Sequence, residues 1–283
     1  MLITLKEILG EAKKGHYAVG AFNTNNMEIV QAIMESAQEE NSPVILQASQ
    51  GALRYAGIEY ITAIVRMAAE KTTVPVALHL DHGTSFEQAM LCIRHGFSAV
   101  MFDGSKLPLE ENISLTAKVV EAAHAVGVSV EGELGRIGGT EDDISVDEKD
   151  AFFTNPQEAL RFVESTEVDA LAVAIGTAHG PYKGEPKLDF DRLQQIEEKV
   201  DTPLVLHGAS GVPDDSICRA VEMGVCKINI DTDIRQAFAR GINRVLKETP
   251  DEYDPRKLLG PAKEEMKKII KTKMRLFNCS GKA

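Results

Sequence analysis

Several absences narrow the reading before any motif is met. The sequence has no C-x-x-C pair; its four cysteines, Cys92, Cys218, Cys226 and Cys279, stand far apart. A chain of 283 residues with 43% apolar content can build a full core without disulfide staples, so the thiols are expected to stay reduced in a cytoplasmic protein. There is no excess of positive charge either. Lys and Arg number 31 against 43 Asp and Glu, giving a net charge of −12. That balance argues against nucleic-acid or anionic-membrane partners, whose affinity rests on basic surface. An anionic small substrate stays admissible, because a metal or a ring of backbone N–H groups outweighs global charge locally. No segment approaches a membrane span, and the opening MLITLKEILGEAKKG reads as a short amphipathic helix rather than a signal sequence. Linkers, low-complexity tracts and long repeats are missing, which predicts one domain over 1–283.

What is present is a rhythm. Short apolar runs alternate with segments carrying apolar residues at i, i+3 and i+4. The runs HYAVGAFN (16–23), PVILQAS (43–49), PVALHLDH (75–82) and SAVMFDGS (98–105) read as strands, as do SVEGELG (129–135), DALAVAIG (169–176), PLVLHGA (203–209) and VCKINID (225–231). Eight strand–helix units demand a parallel sheet covered by helices and predict a closed (β/α)8 barrel, with an open doubly wound sheet as the alternative. No G-x-G-x-x-G opens the first helix, which weakens the dinucleotide-binding form of that alternative. Two segments break the pattern. The acidic stretch 136–155 has no apolar period and is expected as a mobile loop over the site, and 250–283 adds a turn and a long helix beyond the barrel.

Barrel enzymes build their sites from the C-terminal ends of strands. Those ends carry Asn23, Ser49, Asp81, His82, Asp103, Glu133, His179, His207, Asn229 and Asp231. Of seven histidines, three (His82, His179, His207) fall at such ends, and three imidazoles with an open fourth position make a catalytic zinc site. Any one of them alone reads better as a satisfied polar residue. Asp103 and Glu133 suit hydrogen-bond partners of the ligand histidines or a second metal position. The turns AHGPYKG (178–184) and HGASGVP (207–213), with NIDTD (229–233) opening a helix, suit a phosphate cradle after the late strands. Lys227 shares a strand face with Asn229 and Asp231, so all three are expected to point inward. It could form a Schiff base with a ketone, or simply pair with a strand carboxylate. A metal, a phosphate cradle and paired carboxylates suggest Lewis-acid chemistry on a phosphorylated ketone, with Asp81 and an acid from the 136–155 loop moving protons.

The motifs HLDHG, EGELG with GGTEDD, GTAHGPYKG, LHGASG and KINIDTD, in that order, resemble the class II, metal-dependent ketose-bisphosphate aldolases, most nearly the fructose-1,6-bisphosphate members. The resemblance runs to the ending DEYDPRKLLGPAKEEMK. It implies His82, His179 and His207 as zinc ligands and Asp81 as the acid/base at the C4 hydroxyl. Glu141 would exchange the proton on the dihydroxyacetone phosphate carbon. Asp103 and Glu133 would hold a second or alternative divalent ion, and carbonyls of the AHG and HGASG turns a Na+ or K+. Gly180, Gly208, Ala209, Ser210, Asn229, Ile230, Asp231 and Thr232 would meet the substrate at its dihydroxyacetone phosphate end, and Asn23 would also bind substrate. Ser49 and Arg256 would bind the other phosphate. Phosphorylated ketose and triose substrates, a homodimer or homotetramer, and a place in glycolysis follow from the same resemblance. Tagatose 1,6-bisphosphate, which differs only at C4, stays open as substrate, although NIDT and DPRKLLGPA look more like the fructose enzymes. A Schiff-base aldolase, a barrel metallohydrolase and a non-catalytic sugar-phosphate sensor remain as rivals.

Overall fold

In the computed structural model, which describes residues 2–141, 144–146, 152–182 and 184–283, the eight apolar runs become eight parallel strands. They are β1 (Val19–Asn23), β2 (Val44–Ser49), β3 (Val76–Gly83), β4 (Ala99–Phe102), β5 (Ser129–Leu134), β8 (Ala170–Val173), β10 (Leu204–Leu206) and β11 (Val225–Ile230). The sheet closes in the order β1-β11-β10-β8-β5-β4-β3-β2, so the alternative open sheet is excluded. Every residue of these strands is buried, which is why they read as unbroken apolar runs rather than as alternating ones. Pro43, Pro75 and Pro203 stand at or just before the starts of β2, β3 and β10, where a missing N–H costs no ladder bond.

The helices are α1 (Leu5–Gly15), α2 (Met27–Glu40), α3 (Gln50–Ala56), α4 (Ile58–Glu70), α5 (Phe86–Arg94), α6 (Leu109–His124), α7 (Pro156–Thr166), α8 (Phe190–Glu197), α9 (Asp214–Glu222), α10 (Thr232–Glu248) and α11 (Pro255–Leu276). Side chains of Asn26, Ser85, Asn155 and Asp189 cap α2, α5, α7 and α8, satisfying backbone N–H groups that a helix start leaves without intrahelical partners. The amphipathic opening is α1, whose Leu5, Ile8, Leu9 and Ala12 are buried against the barrel. Ile3 donates its N–H to the Val76 carbonyl (2.9 Å) near the head of β3, and the Lys6 N–H reaches Ser129 Oγ (3.0 Å) at the head of β5. So α1 seals the end of the barrel opposite the strand C-termini. Burying each of its Leu and Ile side chains contributes about 1.5–3 kcal/mol. His16, expected to start a strand, is instead the left-handed cap of α1 (φ 49°).

The acidic segment is not wholly irregular. It contains β6 (Gly138–Glu141) and β7 (Ile144–Val146), paired antiparallel, and β6 also pairs with the two-residue β9 (Ala178–His179). Period-two reading misses such a hairpin because its strands are only four and three residues long. The terminal helix α11 packs on α10 and α2, on the flank of the barrel.

Candidate active site

Asp81 and His82 are consecutive on β3, and a regular strand would turn them to opposite faces. The β3–β4 register slips between Leu80 and Gly83, and His82 takes a left-handed backbone (φ 49°). That bulge carries both side chains into the same buried interior, at a backbone cost of about 1–3 kcal/mol. Gly83 lets the bulge close: a Cβ there would lie 2.5 Å from the Met101 carbonyl oxygen on β4. Asp81 then accepts from Asn23 Nδ2 (2.8 Å), Gln47 Nε2 (3.1 Å) and Asn229 Nδ2 (3.3 Å), amides from β1, β2 and β11. Gln47 also donates to Asn23 Oδ1 (2.6 Å), which locks the amide orientations around the carboxylate.

His82, His179 and His207 come together as the sequence suggested. All three are buried, with ring centroids 4.7 Å (His82–His207), 5.1 Å (His82–His179) and 6.1 Å (His179–His207) apart. One nitrogen of each lies within 4.8 Å of the others. His82 Nε2 and His207 Nδ1 are 3.0 Å apart. A tetrahedral ion with nitrogens at 2.0–2.1 Å sets its ligands about 3.3 Å from one another, so the donor set fits a divalent ion. Behind the ring stand carboxylates. Asp103 Oδ2 is 2.9 Å from His82 Nδ1, and Glu133 Oε2 is 3.7 Å from the same atom. His82, Asp103 and Glu133 form a second group whose donor atoms also lie within 4.8 Å of one another.

The electrostatics are those of a charge cluster taken out of water. Burial pulls the His82 imidazole down, but Asp81, the Asp103 hydrogen bond and Glu133 outweigh it and hold the ring well above its ordinary value. Burial pushes Glu133 well up, and neighbouring Asp103, Glu131 and Asp81 push the same way. Asp103 is held below the usual range despite burial, because His82 donates to it. Such opposed shifts within one buried cluster mark functional sites, where protonation states must differ between neighbours.

The late turns converge here too. The Tyr182 hydroxyl accepts from the Ala178 N–H (2.7 Å) and donates to the Gly208 carbonyl (2.7 Å), tying the loop that carries His179 to the one after His207. Gly139 on β6 lies so close to β9 that a Cβ would collide with the His179 carbonyl. The hairpin therefore seats directly on a candidate ligand. Gly180, Gly208 and Ala209 line these turns, and Ser210 Oγ accepts from the Asp233 N–H (3.3 Å), joining the seventh turn to the start of α10. Ile230 ends β11 and Thr232 begins α10. Glu141 closes β6, but its side chain, like Asp142 and Asp143, lies outside the described residues.

Other expected members stand differently. Ser49 Oγ accepts from the Ala52 N–H (3.1 Å) and caps α3. Asp231 lies one residue beyond β11, mostly buried, and holds Arg235 Nε at 2.7 Å. Arg256, 89% exposed, spends its guanidinium on Asp254 (2.7 Å) at the start of α11. Lys227 is fully buried, 2.9 Å from Glu131 Oε2 and donating to Asn229 Oδ1 (2.7 Å), which is the ion-pair reading of that residue. Three contributors went unread: Gln47, Glu131 and Tyr182. The first two had a signal, a polar side chain inside a run where every neighbour is core.

Known proteins resemble the chain over its whole length. The model of the family described as fructose-bisphosphate aldolase class-II matches residues 3–282. The fructose-bisphosphate aldolase of Thermus caldophilus is 49% identical, with the whole of both chains covered. That of Geobacillus stearothermophilus is 48% identical, over 100% of this chain and 99% of its own. Among solved structures, the YdjI aldolase from Escherichia coli K12 superposes with a TM-score of 0.88 at 36% identity, with 100% of each chain covered.

Proposed function

The chain belongs to the class-II fructose-bisphosphate aldolase family, and from that premise we propose that it is a zinc-dependent lyase cleaving fructose 1,6-bisphosphate reversibly to dihydroxyacetone phosphate and glyceraldehyde 3-phosphate. The observation that carries the reading is the buried trio His82, His179 and His207 beside Asp81, in a chain similar over its full length to proteins named for that reaction. His82, His179 and His207 would hold the ion, and a bound divalent ion supplies Lewis acidity toward the ketone oxygen.

The chain's own groups do the rest. Asp81, fixed by three amide donors, takes the proton from the C4 hydroxyl as the C3–C4 bond breaks and returns it in condensation. Glu141 exchanges the proton on the dihydroxyacetone phosphate carbon. Gly180, Gly208, Ala209, Ser210 and the run Asn229–Thr232 bind the phosphate and hydroxyl groups of that half, using backbone N–H groups at the start of α10. Ser49 and Arg256 bind the distal phosphate. Asp103 and Glu133 orient His82 and offer a second divalent position, and the carbonyls of the late turns suit Na+ or K+. Lys227, committed to Glu131 and Asn229, is assigned no Schiff base. No helix among the described residues is long and apolar enough to cross a membrane. By its likeness to the fructose-bisphosphate aldolases we place the enzyme in the cytoplasm as a homodimer or homotetramer.

The test is cleavage of fructose and tagatose 1,6-bisphosphates in parallel, each with and without EDTA. EDTA-sensitive cleavage favouring fructose 1,6-bisphosphate is the expected result. Preference for the other epimer transfers the assignment to tagatose 1,6-bisphosphate, and activity surviving complete metal removal, with borohydride trapping at Lys227, overturns the metal reading.

A further inference from the structure

Below the three histidines lies a second layer of buried charge with no direct part in the reaction just described. Glu131 sits in the middle of β5, fully buried. Its Oε1 is 2.8 Å from His207 Nε2, its Oε2 is 2.9 Å from Lys227 Nζ, and His79 Nε2 is 3.4 Å from the same oxygen. Lys227 passes the contact on to Asn229 Oδ1, and Asn229 Nδ2 reaches Asp81. One continuous chain of contacts thus runs from His207 through Glu131, Lys227 and Asn229 to Asp81.

We infer that Glu131, with Lys227 as its counter-charge, is a positioning residue that fixes the tautomer of His207, placing the ring proton on Nε2 and leaving the Nδ1 lone pair for the metal. The inference rests on the reading of His207 as a ligand and adds to it. An ionised carboxylate is acceptor-only, so a neutral imidazole facing it at 2.8 Å must carry its proton on that side. The other nitrogen, Nδ1, is the one 3.0 Å from His82 Nε2. A buried carboxylate without compensation would be costly, and Lys227 is fully buried at salt-bridge distance. This gives the buried lysine a task other than nucleophilic attack.

The arrangement makes an unusual double-variant prediction. In Glu131→Gln with Lys227 intact, the amide oxygen turns to the ammonium and the amide NH2 faces His207. That forces the ring proton onto Nδ1 and blocks the ligand atom. In Glu131→Gln/Lys227→Met no ammonium competes, and the amide oxygen is free to accept from His207 Nε2–H again. The measurement is competition for Zn2+ against a fluorescent chelator, with the absorption spectrum of the Co2+-loaded protein alongside and the thermal midpoint of the metal-free protein as a check on folding. Glu131→Gln is expected to bind Zn2+ about 10–100-fold more weakly than the parent, with an altered Co2+ spectrum. The double variant should recover most of that loss. Unchanged affinity in Glu131→Gln, or a double variant no better than the single, overturns the inference. Should the variants fail to fold, 15N-histidine spectra of the metal-loaded parent decide it, with Nε2–H on His207 expected and Nδ1–H refuting. A parent that binds no ion fails at the level of the metal site itself, whereas a metal-binding parent with an indifferent Glu131→Gln fails only here.

Discussion

On the flank of the barrel, Lys263, Lys267, Lys271 and Arg275 of α11 run along Glu35, Glu39 and Glu40 of α2, with N···O distances of 2.5–3.0 Å. In the interior, Lys227 and the histidines 79, 82 and 207 meet Asp103, Glu131 and Glu133 at 2.8–3.9 Å. The side-chain types are nearly the same. Much of the flank ladder is open to water: Glu35 and Glu39 keep 40% and 46% of their side-chain exposure, so their pairs with Lys263 and Lys271 gain little over solvation, while Lys267 is the buried rung. The interior cluster has lost its water, and each charge depends on its neighbours for compensation. A ladder of the first kind fastens a helix. A cluster of the second kind sets protonation states and aims nitrogens, which is the work of a site.

The comparison breaks most visibly at Asp81. Asp81→Asn keeps shape and bulk and is expected to lower kcat by about 10²–10⁴-fold while the protein still carries its metal; steady-state rates and metal content measured on one preparation check both halves. His207→Ala should lose ion and turnover together, and a metal-replete, active variant would refute the ligand assignment. Next in size is Tyr182→Phe. It strips one hydroxyl that serves both the Ala178 N–H and the Gly208 carbonyl, and should cost about 1–3 kcal/mol in denaturant unfolding and raise the rate of metal release.

The flank should answer more quietly. Lys271→Met is expected to cost about 1 kcal/mol or less in stability and to leave kcat unchanged, because its pair with the half-exposed Glu39 stays open to water. Its acid response sharpens the contrast. Glu39 is held down to about 2 by hydrogen bonds from Lys267 and Lys271. A carboxylate lowered in the folded state contributes stability that is whole above its ordinary 4.5 and fades as pH falls from 4.5 towards 2. Thermal melts between those pH values should therefore show the parent losing more stability than Lys271→Met, and 1 M salt should narrow the gap at neutral pH.

Much of this was legible in the sequence, for a physical reason. A strand buried on both faces leaves an unbroken apolar run, so β2, β3 and β11 could be read to within a residue or two. The histidines stood out because they ended such runs. Glu131 and Gln47 lay inside runs, where one polar letter looks like noise until its partners, far away in the chain, are known. The bulge at His82 and the β6–β9 pairing are products of tertiary contact and leave no local pattern; nor does Tyr182, whose value lies in joining two turns.

The pair that closes the barrel joins Val19 to Lys227. At ribosomal speeds of about 5–20 residues per second, β1 waits roughly ten to forty seconds for its second neighbour to emerge. During that interval His82, His179 and Glu131 are already made, but the lysine that balances Glu131 is not. The newborn chain therefore carries a strand carboxylate before the counter-charge that makes its burial tolerable. The contacts that close the barrel and neutralise Glu131 therefore belong to the last moments of folding, after synthesis has delivered the eighth strand.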